Sequence, residues 1–208
     1  MNIPVIYEDD WLAIVDKPSG LLVIPTPKNE TRTLTSILNE DLRIRNLSYR
    51  FHPCHRLDRE TSGLIIYAKG KSMQKQVMDL FKSKTVKKIY LAFIQGNLAP
   101  LQGEIKNPIA GQSAVTRYKV IAKRKDFDIV EASPLTGRTN QIRIHFKEIG
   151  HPILGERKFA FRRDFKLKAK RLCLHAQKLE FQHPATKKIL SVEIDLEQDL
   201  KNFLAKNP

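Results

Sequence analysis

Cysteine is scarce in this 208-residue chain. Cys54 and Cys173 alone make no disulfide framework, which fits a reducing cytoplasm. No apolar run approaches the roughly 20 residues needed to span a bilayer. Met1 to Asp10 carries acids and no long apolar core, so neither a secretory leader nor a transit peptide is expected there. Internal repeats and low-complexity linkers are missing. So are nucleotide-binding signatures. Gly70-Lys71-Ser72 stands between a predicted strand and a predicted helix, but a phosphate loop needs a glycine where Ile65 stands. No Gly-x-Gly-x-x-Gly and no Gly-x-Ser-x-Gly occurs. His52, Cys54 and His55 cluster without a second ligand pair at zinc-like spacing, so no metal site is expected. Acids are in deficit, 22 against 37 Lys and Arg, leaving a formal charge of +15. That balance suits a polyanion, either nucleic acid or an anionic membrane face. A hydrophobic content of 41% with mixed charge excludes disorder, and the length allows one or two domains with a real core.

Strand and helix signals alternate along the chain. Trp11 to Asp16 reads as a strand, Lys17-Pro18-Ser19-Gly20 as a turn, and Leu21 to Ile24 as a further extended segment. Thr33 caps a predicted helix with Leu34, Ile37, Leu38 and Leu42 inward. Ser72 caps a second, with Met73, Val77, Leu80 and Phe81 on one stripe and lysines off it. Lys88 to Ile94 alternates as a strand, and Gly96 to Gly111 reads as a connection. Val115 to Ala122 and Phe127 to Ala132 are two strands about a charged turn, a meander that favours antiparallel or mixed pairing. Thr139 caps a helix with Ile142, Phe146 and Ile149 inward, ended by Gly150 and Pro152. Arg143 then points away from the centre of that stripe. Leu172 to Ala176 and Gln177 to Phe181 read as sheet edges, and Ile189 to Ile194 completes a hairpin. Asp195 with Gln198 forms a capping-box-like start to a last helix with Leu196, Leu200, Phe203 and Leu204 inward.

Two stretches carry chemistry. The first runs from His52 to Lys69: a charged segment, the turn residues Thr61-Ser62-Gly63, then the buried-strand run Leu64 to Ala68. It presents Asp58 between Arg56 and Arg59. A carboxylate flanked by guanidiniums stays ionised at neutral pH and can attack, hold or deprotonate a substrate. A surface Asp–Arg pair would read the same from spacing alone. The second is Thr136-Gly137-Arg138-Thr139-Asn140-Gln141-Ile142-Arg143-Ile144-His145. Beyond it, Arg157 to Arg171 holds eight Lys or Arg and one acid, Asp164, with Phe159, Phe161 and Phe165 interleaved. Cations with aromatics suit RNA, where rings meet unstacked bases. A solvated basic loop anchored by its phenylalanines is the equal alternative.

His55-Arg56-Leu57-Asp58 followed by Thr61-Ser62-Gly63 closely resembles the first motif of the RluA-like RNA pseudouridine synthases. Lys17-Pro18-Ser19-Gly20, Lys88-Ile89-Tyr90-Leu91-Ala92 with Gly96, and the stretch from Thr136 to His145 resemble further motifs of that family in the right order. So do Leu174-His175-Ala176 and His183-Pro184-Ala185-Thr186. Two departures stand out. Asn140 replaces a usual His, keeping a polar side chain that cannot carry charge. Glu156 and Phe159-Ala160 replace a usual Asp and aromatic-glycine pair, so local remodelling is expected there.

The resemblance implies an α+β fold with a mixed, largely antiparallel central sheet flanked by helices and loops. It implies a single catalytic domain over 1–208. With few residues ahead of Trp11, no separate N-terminal RNA-binding domain is expected. The implied reaction turns uridine in ribosomal or transfer RNA into pseudouridine, with no cofactor and no metal, by a monomer in the cytoplasm. Asp58 is implied as the catalytic carboxylate, Arg143 as its ion-pair partner, and Tyr90 as the group packing on the uracil and taking its C5 proton. Arg56 is implied to displace the base from its stack, Leu174 to wall the uracil, and Arg138 to bind substrate. A non-catalytic RNA-binding or RNA-folding protein on the same scaffold is the alternative, which the intact Asp58, Tyr90 and Arg143 disfavour. A membrane-surface protein has only the net charge behind it.

Overall fold

The protein is described by a computed structural model over residues 3–28 and 30–208. In chain order come β1 (Val5–Glu8), β2 (Leu12–Lys17), α1 (Leu34–Ile44), β3 (Phe51–Pro53), β4 (Ser62–Lys69) and α2 (Lys71–Lys82). Then follow β5 (Lys87–Gln95), β6 (Gln102–Ile105), β7 (Thr116–Lys123), β8 (Phe127–Pro134) and α3 (Gln141–Glu148). β9 (Leu174–Gln182), β10 (Ile189–Glu193) and α4 (Gln198–Lys206) complete the order. Two compact units result: Met1–Val86 with Lys178–Ile194, and Lys87–Gln177 with Asp195–Pro208.

In the first unit, Leu12 to Val15 and Leu64 to Ala68 are wholly buried on both faces. That is why these strands read as unbroken apolar runs rather than alternations. β2 pairs antiparallel with β1 and β4, with Ile14 opposite Ile66. The period of two divides the side chains between two cores. Leu12, Ile14, Leu64 and Ile66 pack with Met73 and Val77 of α2, the stripe the spacing predicts. Ala13, Val15, Ile65 and Tyr67 pack with Leu34, Leu38 and Leu42 of α1. β3 pairs with β4, and β10 with β9, both antiparallel. Leu172 to Phe181, expected as two sheet-edge segments, is spanned from Leu174 onward by the single strand β9, which runs on to Gln182.

Thr33 caps α1 as expected. Its hydroxyl accepts from Ser36 N at 3.2 Å while Ser36 Oγ accepts from Thr33 N at 2.8 Å, a reciprocal capping box. Ser72 does not cap α2. The chain turns straight out of β4 through Gly70 at φ 113, and the helix starts at Lys71 with no side-chain cap. Leu21 to Ile24 is a loop rather than a strand, with the carbonyls of Leu22 and Val23 accepting from Leu34 N and Thr35 N.

In the second unit, β5 pairs with β8, β8 with β7 and β7 with β6, all antiparallel. A short parallel bridge between Gly96 and Phe127 makes the pattern mixed. This is the α+β class expected. The stretch from Gly96 to Gly111, expected as a bare connection, contains β6. Its residues Gln102-Gly103-Glu104 are polar, and Gly103 lies close under Tyr118, whose hydroxyl would stand 3.0 Å from a Cβ there. Phe93 sits at the heart of the core, 5.9 Å from Phe127 and 6.0 Å from Phe203. Ile142 and Phe146 of α3 and Leu200 of α4 close onto the same core. Glu197, without a side-chain cap bond, takes the cap position of α4, and no box runs from Asp195 to Gln198; Asp195 pairs instead with Lys201 at 2.9 Å. Both cysteines are buried free thiols, and burial pushes each up to about 12, so neither is reactive at neutral pH.

The capping box gives a stability test. Thr33→Ala leaves the Ser36 amide without its acceptor and lowers the urea-unfolding free energy by about 1 kcal/mol. An exposed control, Thr186→Ala, lies outside α1 and shifts the midpoint by less than half as much.

Candidate active site

Asp58 stands in the first unit, on the loop between β3 and β4. It is half-buried, with Leu57 buried before it and Arg56 and Arg59 exposed on either side. The loop is held from both directions. Upstream, Cys54 N donates to Ile66 O at 2.9 Å, and Ile66 N donates to His55 Nε2 at 3.0 Å. An accepting Nε2 makes His55 a neutral strut, and its ring lies 4.6 Å from that of Phe81. Downstream, Lys17 is fully buried and its ammonium donates to the carbonyls of Leu21 (2.8 Å), Pro18 (2.9 Å) and Arg59 (3.1 Å). Gly20 N donates to the same Arg59 carbonyl at 2.8 Å, and Ser19 Oγ to the Glu60 carbonyl at 2.7 Å. The Lys-Pro-Ser-Gly turn therefore grips the backbone just after Asp58. Carbonyl oxygens replace water around the buried ammonium, which makes the grip obligatory. Asp58 O accepts from Thr61 N at 3.2 Å, closing the turn into β4.

The remaining expected residues stand in the second unit. Thr139 does not cap α3. Asn140 takes the cap position in the left-handed region, φ 56, without a side-chain cap bond. Its Oδ1 is used elsewhere, accepting from Arg143 Nη1 at 3.1 Å. Arg143 is not an exposed helix edge. It is 4% exposed, and Glu156, 3% exposed, takes it in a two-pronged pair: Nε to Oε2 at 2.6 Å and Nη2 to Oε1 at 2.8 Å. The Phe159 ring covers the guanidinium at 5.4 Å. Burial alone would raise the Glu156 carboxyl. The Arg143 bonds and the amides of Lys158 and Phe159 outweigh it and hold the carboxyl below its ordinary range.

Gln141 and His145 lock the same helix. The Gln141 amide makes four bonds: Oε1 accepts from Thr136 Oγ1 (2.7 Å) and Arg138 N (3.0 Å), and Nε2 donates to Val115 O (2.9 Å) and Thr116 Oγ1 (3.0 Å). His145 Nε2 faces the Asn107 carbonyl at 3.0 Å and Nδ1 faces Thr116 Oγ1 at 2.9 Å. A carbonyl only accepts, so Nε2 carries the proton and Nδ1 accepts from the threonine. Burial pushes this imidazole below its ordinary range and keeps it neutral. Arg138 is exposed, with Nε donating to Ser113 O at 3.1 Å. Tyr90 is half-buried on β5, opposite Ala132 of β8, against the unit's core. Two residues earlier on the same face, burial pushes the Lys88 ammonium below its ordinary range. Leu174 opens β9 and is 3% exposed in that core. Beside it, burial first and the Arg171 charge second push His175 down to about 4.

Glu156 is the residue that sequence reasoning missed. It read there as a departure in a remodelled loop. Its one signal was its place after Gly155, whose φ is +79 and whose missing Cβ would stand 1.9 Å from the Arg171 carbonyl. Only a glycine lets the two chain segments cross and carry Glu156 under α3. Lys17, Gln141 and His145 likewise turn out to be the supports of their motifs. Among the described residues no group of three or more His, Cys, Asp or Glu is arranged to hold an ion.

Glu156→Gln removes the charge opposite a buried guanidinium and costs about 3–5 kcal/mol at neutral pH. The native carboxyl is held below its ordinary value of 4.5, so its contribution is complete above that pH and fades as the pH falls through the folded value. Urea titrations from pH 8 to pH 3 will show a constant gap between native and Glu156→Gln protein down to about pH 4.5, narrowing below it.

Residues 11–148 match the family described as RNA pseudouridylate synthase. The chain is 35% identical over 198 residues to the dual-specificity RNA pseudouridine synthase RluA of Haemophilus influenzae, covering 88% of each. It is 36% identical over 222 residues to the ribosomal large subunit pseudouridine synthase C of Vibrio cholerae, covering 97% of this chain and 68% of that protein. The solved structure of human RNA pseudouridylate synthase domain containing 4 matches with a TM-score of 0.83 at 26% identity, over 97% of this chain and 92% of that one. The motif order seen in the sequence, the α+β fold and these likenesses agree: the chain belongs to the RNA pseudouridine synthase family, among its RluA-like members.

Proposed function

We propose that this RNA pseudouridine synthase isomerises uridine in ribosomal or transfer RNA through Asp58, with Tyr90 and Arg143 as its partners in catalysis. The family match across residues 11–148 carries the reading. One relative is named for the large ribosomal subunit, which supports ribosomal RNA as a target, and the other is named dual-specificity, which supports more than one RNA substrate.

The reaction breaks the N1–C1′ bond, turns the freed uracil, and bonds C5 to C1′. C5 loses a proton and N1 gains one, so atoms and electrons balance with nothing supplied from outside. The chemistry asks first for an ionised carboxylate at the sugar or base, a part that falls to Asp58. A carboxylate on a loop pinned at His55, Arg59 and Glu60 loses little freedom when substrate arrives. Arg143 supplies its counter-charge by the family pattern. A base must take the C5 proton, and Tyr90 fills that role directly or through a water. Leu174 contributes an apolar wall. The target uridine must leave its stack at a cost of a few kcal/mol, which Arg56, Arg138 and the basic surface offset. The enzyme works as a cytoplasmic monomer without a cofactor on this reading. No helix among the described residues is long and apolar enough to cross a membrane.

Asp58→Asn protein, incubated with total RNA from a strain lacking the gene, forms pseudouridine at least about a thousandfold more slowly than native protein. Site mapping by primer extension reads the outcome, and undiminished formation rejects Asp58 as the catalytic carboxylate. In the same assay Tyr90→Phe lowers kcat roughly 10²- to 10⁴-fold with KM nearly unchanged. A rise confined to KM would remove the tyrosine from proton transfer.

A further inference from the structure

The segment after Glu156 has a design that the reaction does not use. Its two ends are clamped. Glu156 Oε1 accepts from the amides of Arg157 (2.9 Å), Lys158 (2.7 Å) and Phe159 (3.3 Å), and Arg157 Nη2 donates across to Lys170 O at 2.9 Å. At the far end Arg171 pairs with Glu197 and Asp199. Fifteen residues between joined ends make a compact Ω-like loop rather than a loose tether. Within it the side chains are sorted. Phe165, Leu167 and Ala169 pack against the second unit's core, while the alternate Lys166, Lys168 and Lys170 are exposed.

Phe161 breaks this sorting. It is 70% exposed, more than any other large apolar residue described. The exposure is built in. Asp164 Oδ2 accepts from Phe161 N at 2.7 Å, and Asp164 N donates to Phe161 O at 2.9 Å, closing a tight turn that holds the ring at the loop's tip. Arg163 lies over the ring, its guanidinium carbon 5.2 Å from the centroid. An aromatic face backed by a guanidinium, with lysines at every second position behind it, matches an unpaired base and its phosphates. Ile44 and Ile189 come next at 68% exposed, but they offer no flat face.

We propose that Phe161 and Arg163 form a stacking platform for one unpaired base of the RNA that lies outside the reacting uridine, with Lys166, Lys168 and Lys170 taking phosphates beside it. This rests on the RNA-substrate reading and adds a specificity determinant to it. The loop selects RNA with a single-stranded nucleotide near the target. A membrane surface is the poorer match, because one ring on a three-residue turn buries far too little apolar area to hold a bilayer.

The test is equilibrium binding, which needs no turnover. The probes are a fluorescein-labelled 12-residue oligouridylate and a 12-base-pair RNA duplex. Phe161→Ala and Phe161→Leu, whose exposed site leaves folding intact, weaken single-strand binding roughly five- to a hundredfold. They change duplex binding by less than twofold, and Phe161→Trp stays within threefold of native on both probes. Replacing the three lysines by alanine lowers the slope of log affinity against log salt on the single strand by about 2. A single-strand loss under threefold, or an equal loss on the duplex, overturns the platform. Binding of native protein to phosphatidylserine vesicles that Phe161→Ala abolishes, with oligouridylate binding unchanged, overturns it in favour of a membrane. Pseudouridine formation by native protein is unaffected by any of these failures. Conversely, the oligonucleotide ratios hold even if uridine isomerisation is never observed.

Discussion

A guanidinium taken out of water must be met by a carboxylate, and the Arg143–Glu156 pair meets that demand at the centre of the second unit. The pair is two-pronged and wholly enclosed. Desolvation of both charges is costly, and further hydrogen bonds to the pair offset it. Asn140 accepts from Arg143, three consecutive amides donate to Glu156, and Phe159 covers the guanidinium. One carboxylate thereby fixes the third motif's arginine and the root of the basic loop together. Gly155 and the crossing Arg171 carbonyl make the placement possible.

The first unit solves the matching problem for an acid. Asp58 sits at the mouth of a strand too apolar to shift, and a buried lysine forty-one positions earlier holds the following backbone through carbonyl bonds. Rigidity here is functional. On the proposed role for Asp58, a carboxylate gains most from being positioned before substrate binds. His55 and the Lys-Pro-Ser-Gly turn hold the backbone on either side of Asp58.

How much of this the sequence displayed depends on the range of the interaction. The strands from Leu12 and Leu64, the stripe of Met73 and Val77, and the Thr33 cap are local patterns, and each is where it was expected. Caps at Ser72, Thr139 and Asp195 were misread because the residue type permits a cap but backbone geometry decides it: Gly70, Asn140 and Glu197 occupy those turns. β6 escaped notice because its polar residues carry no apolar period. Arg143 looked like a surface residue on its own helix. Its burial comes from Glu156, thirteen positions on, behind a glycine crossing that no periodicity encodes. Asp58 and Tyr90 were singled out by motif resemblance, since spacing alone favoured a surface ion pair and a core tyrosine.

Chemistry separates an isomerase from a protein that merely holds RNA, and the hydrogen at uracil C5 reports it directly. RNA carrying tritium at C5 of its uridines, taken from cells lacking the gene, is incubated with the native protein. One tritium released to water for each pseudouridine formed is the predicted result. RNA bound with no release above the protein-free control would contradict the account.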